Sequence, residues 1–320
     1  AYYNGQYLNR LERLGYSQAE IDNKLERTFE EMFYGPEGVR LCHCAGPDMM
    51  YIEDTGNHDV RTEGMSYAMM FCVQMNRQKE FDCLWRWVVT HMYLTEGENA
   101  GYFAWSCHTD GSKNSDGPAP DGEEFFAMSL FFAANRWGSG EGVLDYASWA
   151  RRILHACVHK GEEAGSGFPM WNPENHLIKF VPNCEFTDPS YHLPHFYELF
   201  ALWSDECDRP FWHAAAAASR QYLRKACHAR TGLSAEYAEY DGRPHRGDQP
   251  DRHDWFFSDA YRTLGNIALD AQWFGDKDGW AQETAAHIQQ FFEEKEHGQT
   301  NGIYLIDGTP VEGNALHPLG

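Results

Sequence analysis

Apolar and polar positions fall into long stretches with helical spacing, separated by loops rich in Gly, Pro and Asp. The spacing predicts helices over 17–34, 63–76, 78–94, 122–137, 144–159, 190–206, 210–227, 258–273 and 278–296, and few strands. Two kinds of helix alternate. Residues 64–73, 125–134, 191–203 and 255–269 are apolar nearly all round, as a helix buried on every face must be. The helices that follow them are amphipathic. Phe81, Leu84, Trp85 and Val88 share one stripe while Asp82 and Arg86 lie off it, and 210–227 and 278–296 read the same way. An inner ring of buried helices within an outer ring of half-buried ones satisfies the alternation. The expected fold is therefore all-α, an (α/α) barrel, with a closed helical solenoid as the competing architecture. No low-complexity linker interrupts the chain, so 1–320 reads as a single catalytic domain.

The buried helices share a feature at their starts. Glu63 stands at the first, in Asp59-Val60-Arg61-Thr62-Glu63-Gly64. Asp121 stands at the second, Tyr191 at the third and Asp259 at the fourth, at intervals of 58, 70 and 68 residues. Each interval holds one inner helix, one outer helix and their loops. If the inner helices run parallel, these four side chains line one cleft. Asp, Ser and Thr at helix starts are also ordinary caps that complement the macrodipole. Four such starts on buried helices exceed what capping requires, because acids at an apolar mouth are costly to desolvate.

Charge narrows what such a cleft can accept. Lys and Arg number 26 against 48 Asp and Glu, a net charge of −22, which repels phosphate backbones and anionic lipid. Nucleic acid and membranes are thereby disfavoured as partners, and a neutral substrate is compatible. Aromatic residues make up 15% of the chain, with 11 Trp, enough for a large core and for sugar-stacking faces besides. Nine scattered Cys, without an N-terminal apolar segment, read as reduced thiols in a cytoplasmic protein.

Other chemistries fit less well, and neither a metal nor a cofactor is expected. Cys42-His43-Cys44 lacks zinc-ligand spacing and has no second pair. His192 and His195 read first as hydrogen-bonded histidines at the start of a buried helix, with His192 also a candidate sugar contact. Residues 110–116 carry Lys113 where a calcium loop wants an acid. No Gly-rich phosphate loop follows a strand. Carboxylates in a neutral, aromatic-rich cleft suit glycoside hydrolysis, which needs a protonated acid at the leaving oxygen and an ionised carboxylate opposite.

Here the chain resembles a known family, the family 8 glycoside hydrolases, over its whole length. The resemblance is carried by Asp54-Thr55-Gly56-Asn57, by residues 59–67, by Gly101-Tyr102-Phe103-Ala104-Trp105-Ser106, by Pro118-Ala119-Pro120-Asp121-Gly122-Glu123-Glu124, by Asp188-Pro189-Ser190-Tyr191-His192-Leu193-Pro194-His195-Phe196-Tyr197-Glu198 and by Phe257-Ser258-Asp259-Ala260-Tyr261-Arg262. It implies an (α/α)6 barrel and inversion at the anomeric carbon. Glu63 is then similar to the general acid, Asp259 to the general base, and Asp121 to the carboxylate that holds the distorted sugar. Tyr191 is similar to the tyrosine that places the water, and Trp105 to a sugar-stacking platform. His192 and Arg262 lie in the same segments as candidate substrate contacts.

Within the family, the chain is most similar to the branch that trims xylooligosaccharides from the reducing end. Leu316-His317-Pro318 resembles that branch's blocking loop, which leaves room for one sugar past the scissile bond. Two rival readings are an endo-acting glucanase or xylanase of the same family and a non-catalytic carbohydrate-binding protein. A ring of six helix pairs outruns the nine helices expected by residue 296, with 301–320 read as loop. C-terminal helices are therefore expected beyond the given sequence, or a partner over the apolar flanks of the first and ninth helices.

Overall fold

The computed structural model describes residues 1–162, 165–247, 252–296 and 302–311. Two compact units make up the chain: Gly5–Gly167, and Phe168–Gly320 together with Ala1–Asn4. Among the described residues, no helix is long and apolar enough to cross a membrane.

The unit Gly5–Gly167 holds a short helix α1 (Arg10–Arg13), then α2 (Gln18–Tyr34), α3 (Thr62–Gln74), α4 (Gln78–Trp87), α5 (Pro120–Trp137) and α6 (Tyr146–His159). Ser17 starts α2 with a reciprocal cap: its hydroxyl accepts from the Glu20 amide, and the Glu20 carboxylate accepts from the Ser17 amide at 2.8 Å. Two antiparallel ribbons join the helices, β1 (Cys42–Cys44) with β2 (Met50–Ile52), and β3 (Asp59–Arg61) with β4 (Ser106–His108). Helix α3 packs on α4 and α5, and α5 packs on α6. Along α3, Met65, Ala68, Met69, Met70, Cys72 and Val73 are buried. On α4 and at the residue after it, the expected stripe of Phe81, Leu84, Trp85 and Val88 is wholly excluded from solvent. The stretch expected to remain helical to 94 leaves α geometry at Val88 and runs as a π turn to Met92.

The second unit holds α7 (Pro194–Trp203), α8 (Arg209–Ala226), α9 (Arg262–Phe274) and α10 (Trp280–Glu296), and the ribbon β5 (Trp255–Phe256) with β6 (Tyr304–Leu305). Helix α7 packs on α8 and α9, and α9 on α10. In the pairs α3–α4, α5–α6 and α7–α8, then, a more buried helix is followed by an outer partner, as the hydrophobic pattern predicts; α9 and α10 depart from it.

Further expectations need correction. The helix expected from residue 258 takes α geometry only at Arg262, after a 3-10 turn, Ser258–Tyr261. The helix expected from residue 190 begins at Pro194, because Pro194 takes its N-terminal position and holds Leu193 out of helical geometry. Tyr191 therefore belongs to a separate 3-10 turn, Pro189–Tyr191. All-round burial also fails in places. On α9 only Thr263 and Ile267 are buried, since Asn266, Asp270 and Gln272 give that helix a polar side. Phe71 on α3 and Leu202 on α7 are exposed.

Candidate active site

In the unit Gly5–Gly167, the starts of α3 and α5 meet. Strand β3 pairs Arg61 with Ser106, and the next amide, Thr62, donates to the Trp105 carbonyl at 3.0 Å. Chain direction then turns into α3, which places Glu63 in its first turn, half-buried, with the Thr62 hydroxyl donating to its carboxylate at 3.3 Å. Gly122 lies directly against Thr62: a Cβ there would come within 2.5 Å of the Thr62 Cβ. That close approach brings Asp121, the neighbour of Gly122, beside the Thr62–Glu63 turn. Asp121 is buried, and its carboxylate accepts from the Gly122 amide at 3.0 Å.

Trp105 is half-buried at the head of β4, not in the core. The Arg61 guanidinium covers one face at 5.1 Å from the ring centroid. Arg61 is in turn held by Asp59 at 3.0 Å and by Asp54 at 3.6 Å. Beneath the loop, the fully buried Glu123 carboxyl accepts from the Phe103 amide at 2.9 Å. Burial pushes its pKa well above the usual carboxylate range, more than the Phe103 amide lowers it, and the charge of Asp121 adds to the rise. From this buried position Glu123 props the segment carrying Trp105.

In the second unit, the 3-10 turns Pro189–Tyr191 and Ser258–Tyr261 meet. The Asn266 side chain donates to the Ser190 carbonyl at 2.7 Å, and the Tyr197 hydroxyl to the Tyr191 carbonyl at 3.1 Å. Arg262, at the start of α9, pairs with the Asp259 carboxylate at 2.9 Å and lies 5.6 Å from the Tyr191 ring centroid. Its charge is spent on Asp259 and Tyr191, which favours a supporting role over the direct sugar contact expected of it.

Three carboxyl groups surround this arginine, and their exposure differs. The Asp259 side chain is 38% exposed. Asp188 is fully buried and accepts from the Ser190 amide at 2.6 Å. Burial, then the charge of Asp259, push its pKa well above the carboxylate range, against the pull of Arg262. Glu236 is pushed up to about 8, chiefly by burial and then by Asp259. Asp259 is the open, arginine-paired carboxylate of the three.

His192 is fully buried. Its Nε2 meets the Thr187 hydroxyl at 3.0 Å, its Nδ1 meets the Ser219 hydroxyl at 2.9 Å, and the ring stacks on Tyr222. Both nitrogens are taken, so His192 supports the Tyr191 turn from below; the expected sugar contact is corrected accordingly. His195 is also fully buried, between Phe196 and Trp273. Asp254, which sits in the loop before β5, is gripped by Arg252 through two hydrogen bonds of 2.9 and 2.6 Å. Leu316, His317 and Pro318 lie outside the described residues.

Residues 17–315 match the family model described as glycosyl hydrolases family 8. The chain is a family 8 glycosyl hydrolase. It is 54% identical, over its full length and 81% of the relative's, to a reducing end xylose-releasing exo-oligoxylanase of Halalkalibacterium halodurans. Among solved family 8 structures, Rex8A from Paenibacillus barcinonensis complexed with xylose is similar at a TM-score of 0.94, with 53% identity, covering 98% of this chain and 83% of that one. A variant of the same protein, complexed with an alpha-L-arabinofuranosyl-xylotetraose, matches at a TM-score of 0.94, with 53% identity over 98% of this chain and 82% of that one. Likeness at this level makes the fold of this family 8 enzyme the (α/α)6 barrel.

Several contributors were not singled out from sequence. Asp188 stands in a segment quoted for the resemblance, yet its type and place also suit a plain cap. Glu123 reads as one more acid at a helix start. Glu236 follows Leu233-Ser234-Ala235, small and apolar residues around an acid, which was the one available signal of a buried carboxyl.

Proposed function

We propose that this chain hydrolyses β-1,4-xylooligosaccharides, releasing xylose from the reducing end with inversion. The observation that carries the reading is 54% identity along the whole chain to an enzyme of that activity. In this mechanism Glu63 gives its proton to the glycosidic oxygen as the bond to the anomeric carbon breaks. Asp259 takes a proton from the water that attacks the opposite face of that carbon, and the new C–O bond forms with inverted configuration. The exposure of Asp259 and its pairing with Arg262 support the role of base.

Asp121 holds the distorted sugar, Tyr191 orients the water, and Trp105 stacks on a sugar ring. Leu316, His317 and Pro318 form the wall that limits the reducing-end side to one xylose. Asp254 is the weaker candidate for the base, because Arg252 already occupies both its oxygens. The nine free cysteines support a reducing, cytoplasmic location.

Xylotriose labelled at its reducing end tests the reading. Label should appear first in xylose, with unlabelled xylobiose as the other product. Proton NMR of the first turnovers should show the α-anomer at the new reducing end of the xylobiose. Label in xylobiose, or rapid shortening of polymeric xylan, contradicts end-trimming; an initial β-anomer contradicts inversion.

A further inference from the structure

Ser258, immediately before Asp259, has a φ of +48°. This is the left-handed region, which a residue with a side chain enters at a cost and keeps only when its surroundings hold it there. The holding group is on the page. The Ser258 side chain hydrogen-bonds to the Glu236 carboxyl. Glu236 has a side chain only 8% exposed, and its Oε2 also meets His253 Nδ1 at 2.9 Å.

The segment that carries Glu236 is itself tied to the one leading into the turn. The Glu236 amide donates to the Trp255 carbonyl at 2.8 Å and the Tyr237 amide to the His253 carbonyl at 2.9 Å. The Tyr237 and His253 rings stack at 4.1 Å. Glu236 is thus a fixed point from which a bond reaches the strained residue that presents Asp259.

We propose that Glu236 is a positioning residue for Asp259: by gripping the Ser258 hydroxyl, it holds the left-handed turn and so sets the direction in which the Asp259 carboxylate is aimed. The proposal rests on the reading of Asp259 as the general base. It also gives a reason for an acid at this position. Burial and the charge of Asp259 keep the Glu236 proton on through the neutral range. Glu236 therefore grips Ser258 without placing a second negative charge beside the base, whose charged neighbour is Arg262.

Kinetics of substituted full-length enzyme on xylotriose test this. Glu236→Ala and Ser258→Ala should each lower kcat at least about tenfold while KM moves less than about threefold, because aim and not sugar affinity is lost. Glu236→Gln keeps an acceptor for the Ser258 hydroxyl and should stay within about threefold of the parent. The two Ala changes combined should cost no more than the worse one alone, as expected for two ends of one bond. Added to Asp259→Ala, Glu236→Ala should cost nothing further. Parental kcat in Glu236→Ala, a Gln variant as poor as the Ala one, or additive losses overturn the proposal. If Glu236→Ala does not fold, Ser258→Ala decides by the same kcat and KM criteria. Parental turnover in Asp259→Ala overturns the base assignment and the proposal with it. A dead Asp259→Ala beside a fully active Glu236→Ala overturns the positioning role alone.

Discussion

Asp188, Glu236 and Asp259 share one arginine, and burial sets them apart. It pushes the pKa of Asp188 and Glu236 up, while Asp259 opens to solvent beside Arg262. Of the three, Asp259 is the carboxylate that solvent water can reach. We expect Asp259→Asn and Glu63→Gln to lower kcat on xylotriose at least about 10²-fold, with circular dichroism unchanged. Asp188→Asn should stay within about threefold, because Asn reproduces the neutral form of a capping acid. Asp254→Asn should do the same.

Buried titrations also set how stability varies with pH. His192 and His195 are pushed down to about 3 by burial, so the unfolded chain takes up two protons that the folded chain refuses. Their contribution is lost as pH falls from about 6.5 toward 3. Glu236 works in the opposite sense. Raised to about 8, it favours the folded state while protonated and withdraws that support as pH rises from about 4.5 through 8. Glu123 and Asp188, also raised by burial, act in the same sense as Glu236, so the thermal midpoint should pass through a maximum on the acid side of neutrality, and Glu236→Gln should flatten its alkaline side. A midpoint that climbs steadily to pH 9 contradicts this account.

Among the elements, the contact of α3 with α5 depends on one missing side chain. Gly122→Ala pushes a Cβ into the Thr62 side chain, with two backbone turns behind it. Urea unfolding should register a loss of about 1–3 kcal/mol, and kcat should fall because Asp121 shifts with its turn. Trp85→Ala should cost about 3–5 kcal/mol, since a fully buried indole leaves a large cavity, with KM unchanged in the protein that remains folded.

These elements also show what the sequence could reveal. Among the described residues, helical periodicity located the long helices, because burial and spacing are local properties of the chain, although the expected end of α4 overran its α geometry. Boundaries set by a single residue were harder. Pro194 moved the start of α7, and the left-handed Ser258 lies inside what reads as continuous helix. Glu63, Trp105, Asp121, Tyr191 and Asp259 could be singled out as candidates because they stand at or near helix and strand starts in recognisable motifs, the one around Asp259 being short. Glu236 was not, because its role comes from a pairing with residues some twenty positions away that no periodicity encodes. The half-exposed polar side of α9 was missed because apolar residues on both flanks masked it.

For the whole molecule, a net charge of −22 acts on charged ligands and leaves neutral ones alone. The kcat/KM for xylotriose should change less than about twofold as salt rises from about 0.02 to 0.3 M, a range over which the screening length falls severalfold. A steep salt dependence would point to a charged substrate instead. Exchanging Leu316, His317 and Pro318 for glycine should shift products from single xylose units toward internal cuts. The cysteines offer one more use. Cys44 in the first unit and Cys207 in the second are exposed, whereas the other seven are buried or, like Cys184, tucked against backbone amides and carbonyls. Asp208 raises the pKa of the Cys207 thiol, so a maleimide at neutral pH should label Cys44 ahead of Cys207. Two dyes can thus be attached in sequence without engineering a single residue, which gives the native chain one optical reporter in each unit while a xylooligosaccharide is bound and cut.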